Sequence, residues 1–128
     1  MDHNHYSDNF IRNRRDVAQR FMRGYVRGIR LYNDALKDGR LAGPKAAEVI
    51  AILQKYTPIK DDAMLRRMVP NAVNPDAQVN LASLKKDFAF FQELGLIEKR
   101  AVDVDGVVDN SFAQAAVAQL GPYAGLAN

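Results

Sequence analysis

The stretch Asp16-Val17-Ala18-Gln19-Arg20-Phe21-Met22-Arg23-Gly24-Tyr25-Val26-Arg27-Gly28-Ile29-Arg30-Leu31-Tyr32-Asn33-Asp34-Ala35-Leu36-Lys37 decides the fold class. Ala18, Phe21, Met22, Tyr25, Ile29, Tyr32 and Leu36 recur at steps of three and four, which places them on one face of an α-helix. A helix over 16–37 would be about 33 Å long. Gly24 and Gly28 each cost it about 1 kcal/mol relative to Ala, so their presence predicts close packing of a neighbouring element. Asp38-Gly39 ends the pattern, and a shorter helical turn over 7–13, capped by Ser7 or Asp8, precedes it.

Further helices follow downstream. Gly43-Pro44 opens one that runs to about Tyr56, because Pro at a first helical position gives up no helical hydrogen bond, and Thr57-Pro58 stops it. Asp61-Asp62 cap a short helix through Leu65 that Val69-Pro70 terminates, and 71–78 is a loop with no periodicity. Asn80 caps a helix whose stripe is Leu81, Leu84, Phe88, Phe91 and Leu94, with Gly95 in a left-handed cap and Leu96 set to touch Phe91. Ser111 with Gln114 has capping-box spacing and opens a last helix, closed by Gly121-Pro122. Val102–Val108 alternates weakly but is broken by Gly106, so no strand is expected. The expected fold is all-α, an irregular array of about five helices in a single domain over 7–128 behind an unstructured start at 1–6.

Composition removes several chemistries. The 128 residues suffice for one core, and the absence of Cys excludes disulfides, thiolate metal sites and Cys nucleophiles. No apolar run approaches the ~20 residues of a membrane span, and the first ten residues lack the apolar core of a signal peptide, so the chain as written is expected in the cytoplasm. The net charge of +3 is uneven: through Arg40 nine basic residues face five acidic ones, and from Leu41 nine face ten.

Each chemical signal has a plainer alternative. His3 and His5 lie in the polar start without a carboxylate set, a poor metal site. Asp103, Asp105 and Asp109 lack the spacing of a calcium loop, which leaves helix capping. Arg20, Arg23, Arg27 and Arg30 recur at 3, 4 and 3 and form one stripe that fits phosphates or an acidic partner, or else is the solvated face of the helix. No helix-turn-helix spacing, aromatic ladder or zinc set supports nucleic-acid recognition. Phe90 lies off the Leu84-Phe88-Phe91 stripe, so it belongs to a second buried face or an exposed contact. No nucleophile, base or metal set is assembled, so no enzyme and no cofactor is expected.

Several segments, taken in order, carry a family likeness. Arg20-Phe21, Tyr25, Arg27-Gly28, Arg30 and Tyr32-Asn33-Asp34-Ala35-Leu36 are followed by Tyr56-Thr57-Pro58-Ile59-Lys60-Asp61, Met68-Val69-Pro70 and Asn74-Pro75-Asp76. Val79-Asn80, Ser83-Leu84, 88–95, Val107-Val108-Asp109-Asn110-Ser111-Phe112 and Leu120-Gly121-Pro122-Tyr123 complete the set. From about Tyr6 onward the chain resembles the C-terminal part of periplasmic substrate-binding proteins of the nitrate/sulfonate/taurine type, which serve ABC importers. The resemblance implies the helical end of a larger two-lobe parent, periplasmic or lipid-anchored, whose partners are importer membrane subunits and a small anionic or organic solute. It recognises none of the strand-end loops that build the family's ligand cleft, so only Asp109, Asn110 and Ser111, at a helix N-terminus, stand as candidate ligand residues. Apolar faces that would pack on the lobes of such a parent also predict self-association. The competing reading is a free-standing basic helical module that uses the arginine stripe on an acidic protein or nucleic acid.

Overall fold

In a computed structural model that describes residues 5–98, 100 and 102–125, the deciding stretch forms the central helix α2 (Arg15–Asp34), entered from the short α1 (Asp8–Asn13). The chain then makes a two-stranded hairpin, β1 (Leu36–Lys37) and β2 (Arg40–Leu41), and continues through α3 (Ala46–Tyr56), α4 (Asp62–Arg67), α5 (Leu81–Glu93) and α6 (Ser111–Leu120). The array is mostly helical and its helices are unequal in length, as periodicity predicts. None of the helices among the described residues is long and apolar enough to cross a membrane.

The hairpin corrects the expectation that no strand forms and that the long helix runs to Lys37. Asp38 and Gly39 both adopt positive φ (50° and 70°), the conformation that a two-residue turn between antiparallel strands requires. Leu36 pairs with Leu41 and Lys37 with Arg40, so the helix stops at Asp34. Its last carbonyls are taken by the segment after the hairpin: Gly43 N–H donates to Ala35 O at 2.8 Å and Lys45 N–H to Asp34 O at 3.2 Å. That approach requires glycine, since a Cβ on Gly43 would lie 2.8 Å from the carbonyl oxygens of both Asp34 and Leu36. Helix α3 accordingly starts at Ala46, two residues beyond Pro44.

The buried face of α2 is Ala18, Met22, Val26 and Ile29. It is rotated from the expected stripe, because the fully buried Val26 takes the centre and Phe21 is left 53% exposed. Gly24 and Gly28 also depart from expectation: among the described residues a Cβ on either meets no atom within 4 Å, so no described element packs close to them.

Two apolar clusters hang on α2. Ala18, Met22 and Val26 pack with Phe112, Ala113 and Ala116 of α6, and Tyr6 and Phe10 close over them. Tyr6, expected in an unstructured start, donates its hydroxyl to Ala18 O at 3.1 Å and sets its ring edge-on to Phe112. Residues 1–4, including His3, lie outside the described residues. The second cluster joins Ala35, Leu41, Ala46, Val49, Ile50 and Leu65 at the other end of the helix. Helices α2 and α6 run in the same direction, because Arg15 reaches Ser111 and Arg23 reaches Gln119.

Helix α5 is different. Asn80 caps it through Ser83 N–H at 3.0 Å, and Leu96 N–H donates to Phe91 O at 3.0 Å around Gly95, the expected left-handed cap. Yet the helix buries no residue. Phe91 and Leu94 of the stripe read as core are exposed, and Phe90, off that stripe, is exposed as well, the second of its two expected placements.

Candidate functional site

The three candidate ligand residues sit where α6 begins, beside the unperiodic segment 71–80. Asn110 is the N-cap residue, but its side chain faces away from the helix and reads Val79 in both directions. Val79 N–H donates to Asn110 Oδ1 at 2.9 Å, and Asn110 Nδ2 donates to Val79 O at 3.2 Å. Asp109 Oδ1 accepts the Ser111 N–H at 2.8 Å. Hydrogen bonds from the Ser111 hydroxyl and N–H hold the Asp109 carboxyl below its ordinary range, with a smaller contribution from Arg15 and against the opposing effect of desolvation. Arg15 Nη2 donates to Ser111 Oγ at 3.3 Å and its guanidinium lies 4.5 Å from the Phe112 ring centroid. The expected capping box between Ser111 and Gln114 does not form, since Asn110 and Asp109 take the capping positions.

Asp109 and Asn110, but not Ser111, border a cavity of about 320 Å³ between α2, α6 and 71–80. Met22, Tyr25 and Ile29 give it an apolar wall, and Asn74, Asn80 and Asn110 a polar one. Asn74 Oδ1 accepts from Asp76 N–H at 2.8 Å and Asn80 Oδ1 from Ser83 N–H, so both amides spend their acceptor on a local turn. Space of this size with amide donors at its edge suits a small polar solute.

The segment that closes the cavity is strapped to α2 by polar side chains. Tyr32 donates its hydroxyl to Asn71 O at 3.0 Å and Asn33 Nδ2 donates to Val73 O at 3.2 Å. Arg30 pairs with Asp76 at 2.8 Å and donates to Pro75 O at 3.4 Å, with only 13% of its side chain exposed. Arg30 therefore leaves the arginine stripe and acts as a strut. Arg20 pairs with Asp16 at 3.0 Å, Arg23 Nη1 donates to Gln119 Oε1 at 2.8 Å, and Arg27 is exposed and unpaired among the described residues. Tyr123 donates to Asp34 Oδ1 at 2.7 Å beside the Arg30 guanidinium. Burial, then the bond to the Asp34 carboxylate and its charge, push the Tyr123 hydroxyl up to about 12.

The acidic triplet does not gather. Asp103 Oδ1 accepts from Gly106 N–H at 2.9 Å, Asp105 pairs with Lys85 at 2.6 Å, and Asp109 caps α6. No group of three metal-ligating side chains forms among the described residues. Sequence reading missed the Asn110–Val79 clamp and the Arg30–Asp76 strut, both of which bridge to a segment without periodicity. Comparison of the chain with protein-family models, with curated proteins and with solved structures finds no match.

Proposed function

We propose that the chain is the C-terminal helical part of a solute-binding component of an ABC-type importer, of the nitrate/sulfonate/taurine type, for small anionic or organic solutes. The observation that carries this reading is α5, a helix with a regular apolar stripe, secure caps and no buried residue. A stripe of that kind belongs to a helix that packs on further structure, here the lobes of the parent. The blocks that carry the family likeness are also the working parts of the fold: Thr57-Pro58 ends α3, Asn80 caps α5, Asp109 and Asn110 start α6, and Tyr123 ties the tail to α2. In this reading the cavity beside Asn110 faces the solute, the parent is periplasmic or lipid-anchored, and its partners are the importer's membrane subunits.

A chimaera tests it. The α/β lobes of a taurine-binding relative are joined to this chain in place of their own helical end, and taurine, nitrate and alkyl sulfonates are titrated calorimetrically. The expected Kd for taurine lies within about tenfold of the unaltered relative. A folded chimaera that binds none of the three overturns the reading.

One observation favours the runner-up, a basic module for an acidic protein or nucleic acid. Arg14 and Arg27 make no side-chain bond among the described residues, and Arg20 and Arg23 stand exposed on the same helix. A salt-dependent mobility shift with generic DNA that Arg23→Glu plus Arg27→Glu abolishes would establish it; no shift at low salt removes it.

A further inference from the structure

We propose that the chain pairs with a second copy of itself, the outer face of α5 from one copy seated in a groove beside α2 of the other, and reciprocally. The groove is an open apolar space of about 520 Å³ lined by Tyr25, Gly28, Tyr32, Leu53, Met68 and Pro70. Its floor is low at Gly28, where a Cβ meets nothing within 4 Å. Glycine in mid-helix costs stability, and here nothing among the described residues takes up the room it leaves.

Two features commit the groove to this occupant. The first is shape and polarity: helical spacing brings Asp87, Phe90, Phe91 and Leu94 to one face of α5, and the three apolar residues are exposed at 55%, 41% and 56%. No other described segment presents three adjacent large apolar side chains on a single exposed helical face. The second is charge. Arg27 and Arg67 adjoin the lining residues Gly28 and Met68 in sequence, are exposed, and make no side-chain bond among the described residues. Asp87 and Glu93 on α5 are likewise exposed and unpaired among the described residues, as is Lys86, whereas Lys85 is held by Asp105, so the free charge of α5 is net negative. A face of aromatic anchors with free carboxylates thus meets an apolar groove with free guanidiniums, the pattern of a buried apolar centre inside a charged rim. Exchange of the same pair of surfaces in both directions makes the contact a closed two-fold dimer.

The pairing is that of this chain by itself, with α5 free of the lobes that the transport reading assigns to it, and each can fail alone: a chimaera that binds no solute says nothing of pairing, and a monomeric chain says nothing of solute. Sedimentation equilibrium of the full chain over a wide concentration range is expected to show a species of twice the 14.3 kDa chain mass. Gly28→Leu puts its Cβ in open space, extends a side chain into the groove and raises helix propensity, so its thermal midpoint should hold while pairing weakens at least about tenfold. Arg27→Glu and Asp87→Arg should each weaken pairing by about tenfold, and the double variant should recover it. A chain that stays monomeric overturns the proposal. A dimer indifferent to Gly28→Leu, or a double variant as weak as the singles, overturns the pairing of these two faces.

Discussion

Asn110 shows how one side chain can do the work of a strand. Its amide offers an acceptor and a donor at backbone-like spacing, and both are spent on Val79. Asn110→Ala leaves a half-buried N–H and C=O without partners, which should cost about 1–3 kcal/mol. Denaturant melts should show the midpoint falling with the slope unchanged. Gly43 is the opposite case, a residue whose value is the absence of an atom. Gly43→Ala drives a Cβ into two backbone oxygens and should cost about 1–3 kcal/mol, whereas Gly24→Ala, in open space on a helix, should gain up to about 1 kcal/mol; paired thermal melts of the two variants check the opposite signs. Of these roles, the sequence makes only the neighbourhood legible. Asp109 to Ser111 can be placed at a helix start from local spacing, but the partner of Asn110 lies 31 residues away in a segment with no pattern to read.

The elements themselves were largely legible, because periodicity and capping are local. The six helices among the described residues, where about five were expected, fall on segments that spacing and end signals mark, and so does the Gly95 cap. The hairpin was hidden behind the stronger helical period, although Asp38-Gly39 is a two-residue turn signal; the chain resolved the conflict by ending α2 early. Which stripe is buried was not legible, because amphipathicity states that a helix has an apolar face without naming what covers it. Leu65→Ala, in the fully packed cluster under α3, should therefore cost about 2–5 kcal/mol. Phe90→Gln on α5 should change stability by no more than about 0.5 kcal/mol. Chemical denaturation at low protein concentration, where copies stay apart, measures both. A large loss at Phe90 would show α5 buried within the single chain.

At the scale of the molecule, α2 is the shared wall of both clusters, and polar side chains lash the 71–76 segment and the tail to it. The tail bond is pH-sensitive. Because Tyr123 keeps its proton to about pH 12 in the folded chain, against 10.0 for the ordinary group, its contribution is whole below pH 10 and fades as pH climbs towards 12. Tyr123→Phe should flatten the alkaline fall of the thermal midpoint relative to the unaltered chain. Tyr6, raised by burial alone, remains in both proteins and cancels in that comparison.

The parallel placement of α2 and α6 has a temporal side. The bonds from Arg15 to Ser111 and from Arg23 to Gln119 each span 96 residues, so the apolar face of α2 lacks its α6 cover until that helix has been synthesised. At ordinary elongation rates that interval lasts roughly 5–20 s. Ala18, Met22 and Val26 spend it on a nascent chain with only the segment around Tyr6 and Phe10 to lie against them, the period in which a chaperone would find this protein and in which crowding on one messenger would favour its aggregation.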